Sequence, residues 1–172
     1  MSSLAERVSN IVRDVPDFPR PGVLFKDITP VLADPSVFTE VCDWMAAPWS
    51  DIDVVVGIES RGFIFGAPLC ERLNASFVPA RKKGKLPHST YAIDYDLEYG
   101  SAVLEIHTDA IRPGQRVLIC DDLLATGGTA EAAVALIKRA GGEIVGSTFL
   151  VELDFLSGRK KVGGRIESLL HY

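Results

Sequence analysis

The sequence predicts an α/β fold: a central, mainly parallel sheet flanked by helices, with a small hood and a flexible flap. Two observations carry this reading. Short apolar runs that suit buried strands alternate with longer helix-forming segments, the order that builds a parallel sheet covered on both faces. Two of those runs, Asp53 to Ile58 and Val117 to Cys120, lead through short glycine-containing loops into helices, as strand-loop-helix units do at the carboxyl edge of such a sheet. The chain has 172 residues, nearly half of them apolar, and suits a single domain over residues 1–172, since no repeat or low-complexity linker marks a second.

Composition narrows the function. No apolar run is long enough to span a bilayer, and the amino terminus lacks the basic-then-apolar pattern of a secretory signal, so a soluble cytoplasmic protein with no membrane partner is expected. The net charge of −5 argues against a nucleic-acid footprint. Cys42, Cys70 and Cys120 lie far apart and read as buried thiols of a reducing compartment. His88, His107 and His171 are equally scattered, which argues against a zinc site built by the protein.

Taken in order, the chain opens on an amphipathic helix: Ser3 and Glu6 have capping-box spacing, and Leu4, Val8, Ile11 and Val12 share a face. Val15 to Pro30 carries Pro16, Pro19, Pro21, Gly22 and Pro30, which leaves extended chain with turns. Within it, Leu24 and Phe25 read as loop residues tucked into a core. Asp34 before Pro35 caps a second helix, with Val37, Phe38, Val41 and Met45 on its buried side. Asp53 to Ile58 is a buried strand ending in Glu59, Ser60, Arg61 and Gly62, ahead of a helix over Phe63 to Leu73. Arg61 could simply pair with an acid. Ser76 to Ala80 is another short strand.

Four of the five residues Arg81 to Lys85 are basic, either a solvated turn or a seat for a polyanion. His88 to Gly100, polar and rich in tyrosine, reads as a flap, and Ser101 to His107 as a half-exposed strand. After Val117 to Cys120 comes a helix from Thr129 to Ala140, closed by Gly141-Gly142, and then a strand from Glu143 to Leu153. Gly158 to Gly164 is a basic, glycine-rich surface loop. The amino-terminal loop and the carboxyl end supply the hood.

The stretch VLICDDLLATGGTA, Val117 to Ala130, carries the chemistry. Asp121 and Asp122 fall at the carboxyl end of a strand, where open α/β sheets bind ligands. Thr126, Gly127, Gly128 and Thr129 lead into a helix whose first amides lack partners and whose dipole favours an anion. The glycines admit close approach of backbone N–H groups, and the threonines add hydroxyl donors. Adjacent carboxylates on an extended chain point to opposite sides, so one can take a sugar diol and the other a further hydroxyl or a bound metal's water. The combination reads as a phosphosugar clamp; the competing reading is an N-cap cluster followed by an ordinary turn. A nucleoside triphosphatase would need Gly-Lys in its phosphate loop, and GIESRGF has Phe63 at that place; no GxGxxG for a dinucleotide occurs either.

VLICDDLLATGGTA resembles the phosphoribosyl-pyrophosphate (PRPP) signature of type I phosphoribosyltransferases. PGVLFKDITPVL, GIESRGFIFGAPL, RKKGKLP and YDLEYG extend the resemblance over nearly the whole chain, to the adenine-using branch of that family. The resemblance implies transfer of ribose 5-phosphate from PRPP to adenine. It implies that Asp121 and Asp122 grip the ribose hydroxyls, that Ala125, Thr126, Gly127, Gly128 and Thr129 hold the 5-phosphate, and that Ser60 and Arg61 hold pyrophosphate with Arg81 and Lys85. It further implies that backbone groups at Leu24 and Lys26 read the purine edge, that Phe25 and Leu153 stack on its two faces, and that Glu98, beside Tyr99, is the acid/base.

Magnesium held mainly through PRPP or pyrophosphate oxygens, a homodimer in which Arg81 reaches the neighbouring site, and closure of Pro87 to Gly100 as a lid complete the expectation. Alternatives are a 6-oxopurine or orotate enzyme of the same family, or a non-catalytic sensor of PRPP or nucleotide.

Overall fold

The computed structural model describes residues 2–96 and 101–172. Glu98 and Tyr99 therefore lie outside the described residues. The chain divides into two compact units, Met1–Trp44 and Met45–Tyr172.

The first unit opens with α1 (Leu4–Ile11), closed by the expected capping box: Ser3 Oγ accepts the Glu6 amide at 3.2 Å and Glu6 accepts the Ser3 amide at 2.7 Å. The proline-rich stretch forms an antiparallel hairpin of β1 (Arg13–Pro16) and β2 (Leu24–Asp27), with Val15 opposite Phe25. A short helix absent from the sequence reading, α2 (Thr29–Ala33), follows; Pro30 fits its first turn, where a missing amide costs nothing. Asp34 then caps α3 (Pro35–Ala46), accepting the amides of Ser36 and Val37 at 3.0 Å each.

The second unit is a seven-stranded sheet in the order β5-β6-β4-β3-β7-β8-β9. Its centre is parallel: β3 (Val54–Ile58) lies between β4 (Ser76–Lys82) and β7 (Arg116–Leu124), followed outward by β8 (Glu143–Glu152) and β9 (Ile166–His171). All five residues of β3 are buried, as a strand with both faces covered requires. Val54, Val56 and Ile58 enter a cluster with Ala133, Leu136 and Ile137 of α5 (Gly128–Arg139). On alternate positions, Gly57 lies against the Phe77 ring, which also packs on Gly66 of α4 (Arg61–Leu73). The alternation puts the two helices on opposite faces of the sheet.

Several expectations need correction. The strand read as Val117 to Cys120 runs on to Leu124, because Asp121 and Leu123 continue the ladder against Phe149 and Val151 of β8. Much of the stretch read as a flap is β5 (Thr90–Asp96), paired along its length with β6 (Ser101–His107) as an edge hairpin. Tyr91 and Tyr95 explain this: Arg139 of α5 stacks over the Tyr91 ring at 5.1 Å, and Tyr95 is buried in the core. The carboxyl end supplies β9 to the sheet, where the hood was expected. The segment Gly158 to Gly164 contains a short helix, α6 (Arg159–Val162), with Val162 buried. Cys42 and Cys120 are buried free thiols, and Cys70 is half-buried. Among the described residues no helix is long and apolar enough to cross a membrane.

Candidate active site

β3 and β7 are hydrogen-bonded neighbours, Gly57 opposite Cys120, and each delivers a loop to the carboxyl edge of the sheet. β3 passes through Glu59 and Ser60 into α4, with a cis peptide between those two residues. β7 passes through Ala125, Thr126 and Gly127 into α5, with Gly127 at φ 82°, a left-handed conformation open to glycine. Neither N-cap residue, Ser60 or Gly127, makes a side-chain cap hydrogen bond, and both helix starts face this edge, where a helix dipole favours an anion. Between the two loops lies a cavity of about 450 Å³. Its wall includes Ser60 and Arg61 from one loop, Ala125 to Thr129 from the other, and Asp121 and Asp122 between them.

The acids differ in setting. Asp122 is only 4% exposed and accepts Arg61 Nε at 2.8 Å, an ion pair that ties the start of α4 to β7. Asp121 is half-buried and accepts the Asp122 amide at 2.9 Å. Burial, then the neighbouring Asp122 carboxylate, pushes the Asp121 carboxyl well above the ordinary range, only partly opposed by the Asp122 amide and Arg61. A carboxyl raised in the folded state favours folding fully below its unfolded pKa, and that contribution is lost as pH rises through the folded value. The ligand-free protein therefore carries a penalty at neutral pH. Asp121→Asn is expected to raise the ligand-free Tm at pH 7.5, by roughly 2–4 °C for each kcal/mol relieved, with a smaller gain at pH 4.5. Calorimetry at both pH values checks this; equal Tm values at pH 7.5 count against a penalised carboxylate.

A third acid, which the sequence reading left without a role, organises the cationic side. Glu59, whose side chain is 8% exposed, accepts Arg81 Nε at 3.2 Å and the Lys82 amide at 3.1 Å, and pairs with Lys85 Nζ. Arg81 also donates to the Lys85 carbonyl at 3.1 Å. Burial would raise the Glu59 carboxyl, but Lys85, the Lys82 amide and Arg81 outweigh it and hold it below its usual range. Arg81 and Lys85 are thus held beside the Ser60 loop by an acid of their own chain. Lys82 and Tyr95, also unassigned from sequence, line the cavity; the only available signal was membership of the basic run and of the tyrosine-rich stretch.

The remaining predicted residues are placed as follows. Leu153 leaves β8 half-buried, its amide donating to the Leu124 carbonyl at 2.9 Å. Leu24, Phe25 and Lys26 belong to the first unit: Leu24 is 51% exposed, the Phe25 ring meets Phe18 edge-on at 5.1 Å, and Lys26 Nζ contacts Asp14 at 2.6 Å. Of the acids in the cavity, Asp122 already accepts Arg61 and Asp121 already accepts an amide, each with acceptor sites to spare. Elsewhere, Glu152, Asp154 and His171 bring ligand-type atoms within 4.8 Å of one another, but Arg159 and Ser168 occupy the Glu152 oxygens.

Comparison with known proteins agrees with this geometry. Residues 32–164 match the phosphoribosyl transferase domain family. The adenine phosphoribosyltransferase of Myxococcus xanthus (strain DK1622) is 57% identical over 164 residues, covering 94% of this chain and 89% of that protein. The solved structure of the enzyme from Thermoanaerobacter pseudethanolicus superposes with a TM-score of 0.94 at 48% identity, covering 98% of this chain and 99% of that one. That from Saccharomyces cerevisiae, complexed with adenine and an imino-altritol bisphosphate, gives 0.92 at 40% identity over 99% and 100% of the two chains. By its cavity, its sheet order and these likenesses, the chain belongs to the phosphoribosyltransferases, in the adenine phosphoribosyltransferase family.

Proposed function

We propose that the protein transfers the 5-phosphoribosyl group of PRPP to adenine, forming AMP and pyrophosphate and so salvaging the free purine. The observation that carries this is the pair of uncapped helix starts on adjacent parallel strands, with two acids between them. The arrangement offers two anion seats separated by a seat for hydroxyls. Ala125 to Thr129 take the 5-phosphate, Asp121 and Asp122 take the ribose hydroxyls, and Ser60 and Arg61 take the pyrophosphate.

In the reaction the bond from the anomeric carbon to pyrophosphate oxygen breaks and a bond to an imidazole-ring nitrogen of adenine forms. Positive charge grows on the ribose ring and negative charge on the leaving group. The acids beside the sugar favour the first, and Arg61, Arg81 and Lys85 favour the second. Glu59 keeps Arg81 and Lys85 in place before the substrate arrives. Glu98 accepts the proton that adenine releases. Phe25 and Leu153 stack on the purine, the backbone at Leu24 and Lys26 reads its edge, and Tyr99 stands beside the acid/base in YDLEYG. Magnesium arriving with the substrate's phosphates would further neutralise the diphosphate, beside Arg61, Arg81 and Lys85. A homodimer belongs to the same reading, and the free thiols fit a cytoplasmic enzyme.

One assay tests the reading: the full chain with PRPP, magnesium and either adenine, hypoxanthine, guanine or orotate, followed for nucleotide formation. AMP from adenine is the expected product. Turnover of hypoxanthine, guanine or orotate in preference to adenine overturns the choice of base, and no nucleotide from any of them overturns the reaction.

A further inference from the structure

The loop assigned to the 5-phosphate has a second wall outside the PRPP signature. After β8 the chain makes a single 3-10 turn (Asp154–Leu156), and Ser157 at φ 53° turns it back so that Gly158 meets the loop. A Cβ on Gly158 would fall 2.2 Å from the Ala125 carbonyl oxygen and 2.9 Å from the Gly127 amide nitrogen. A Cβ on Gly127 would fall 2.5 Å from the Gly158 carbonyl oxygen. These are backbone-to-backbone approaches, with no flexible side chain to give way. The loop that cradles the anion and the Gly158 peptide are therefore packed so that neither moves without the other.

Gly158 is itself anchored. Its neighbour Arg159 donates through Nε and Nη2 to the two oxygens of Glu152 at 2.9 and 2.6 Å, and through Nη1 to the Ile166 carbonyl at 3.1 Å. Ser168 Oγ of β9 donates to Glu152 at 2.7 Å. Glu152 is 3% exposed, and a bidentate arginine with a third hydrogen bond is the arrangement that lets a buried carboxylate stay ionised. The Gly158 carbonyl accepts the Lys161 amide at 3.0 Å, and Val162 is buried one turn on.

We propose that Gly158 is a positioning residue for the phosphate-binding loop, clamped by the Glu152–Arg159–Ser168 network, and that it sets affinity for the sugar-phosphate end of PRPP. The proposal rests on the assignment of Ala125 to Thr129 to the 5-phosphate. Amides that meet an oxyanion work only when held at the right place, and small displacements are costly.

Steady-state kinetics on the full chain separate this from a general structural role. Gly158→Ala is expected to raise KM for PRPP about ten- to hundredfold, with KM for adenine and inhibition by pyrophosphate essentially unchanged. Arg159→Met, which keeps bulk and removes the fork, shifts KM for PRPP in the same direction by less, and Arg159→Lys falls between it and wild type. Lys160→Ala, exposed on the same helix, leaves all three parameters alone. Ribose 5-phosphate binding by calorimetry follows the same order. If Gly158→Ala does not fold, Arg159→Met decides. Variants that retain the wild-type KM for PRPP, or that raise KM for adenine equally, overturn the clamp. A wild-type chain that forms no AMP removes the phosphate-loop assignment and the clamp together, whereas an active wild type with indifferent variants removes the clamp alone.

Discussion

Replacing Asp122 by Asn is expected to lower kcat/KM for PRPP by about two to three orders of magnitude, the loss that follows when one member of a desolvated, hydrogen-bonded charge pair is neutralised. Asp122 is almost wholly buried and holds Arg61 Nε at 2.8 Å. The amide keeps the shape of the side chain and abolishes the charge. Two functions fail together, because Asp122 lies among the proposed ribose contacts while Arg61 opens α4 beside the proposed pyrophosphate seat. Varying PRPP at saturating adenine measures the effect, with Asp121→Asn, whose carboxylate holds no arginine at this distance, as the milder comparison. A loss smaller than about threefold, less than 1 kcal/mol, would show that the pair is structural only.

Glu98→Gln is expected to cut kcat by roughly two to four orders of magnitude, the range that general acid–base groups supply, with KM for PRPP little changed. The chain leaves β5 at Asp96 and re-enters the sheet at Ser101 directly opposite, with Glu98 among the four residues between them. Tyr95, three residues before Glu98 in the sequence, lines the cavity. The acidic limb of the kcat against pH profile should disappear in the variant. A full-speed Glu98→Gln enzyme, or one that loses PRPP affinity in place of turnover, would falsify the acid/base role.

Much of the fold, and the path of the chain through the candidate site, is legible because the causes are local. Ser3 with Glu6, and Asp34 with Pro35, mark helix starts through contacts within three residues, and both caps are present. The path from Val117 to Thr129 was readable because a β-branched run, adjacent acids and two glycines each restrict the same short backbone. What escaped depends on distant partners. Glu59 shows no role in GIESRG because its cations stand 22 and 26 residues further on. α6 is hidden in GRKKVGG, where only Val162 is apolar; the short helix is held by Arg159 reaching Glu152 on another element. β5 looked like a flap because its strand face is completed by tyrosines, whose partners on α5 are not neighbours in sequence. The acids of β7 end the apolar run but not the hydrogen-bond ladder, which β8 continues beside them.

The adjacency of β3 and β7 acts as a ruler. Neighbouring strands stand about 4.8 Å apart, and the central ladder cannot stretch without breaking its hydrogen bonds. The gap between the two turns is thus set by the backbone and is indifferent to which side chains decorate them. Point changes in either turn should therefore alter grip while leaving the spacing of the two turns in place.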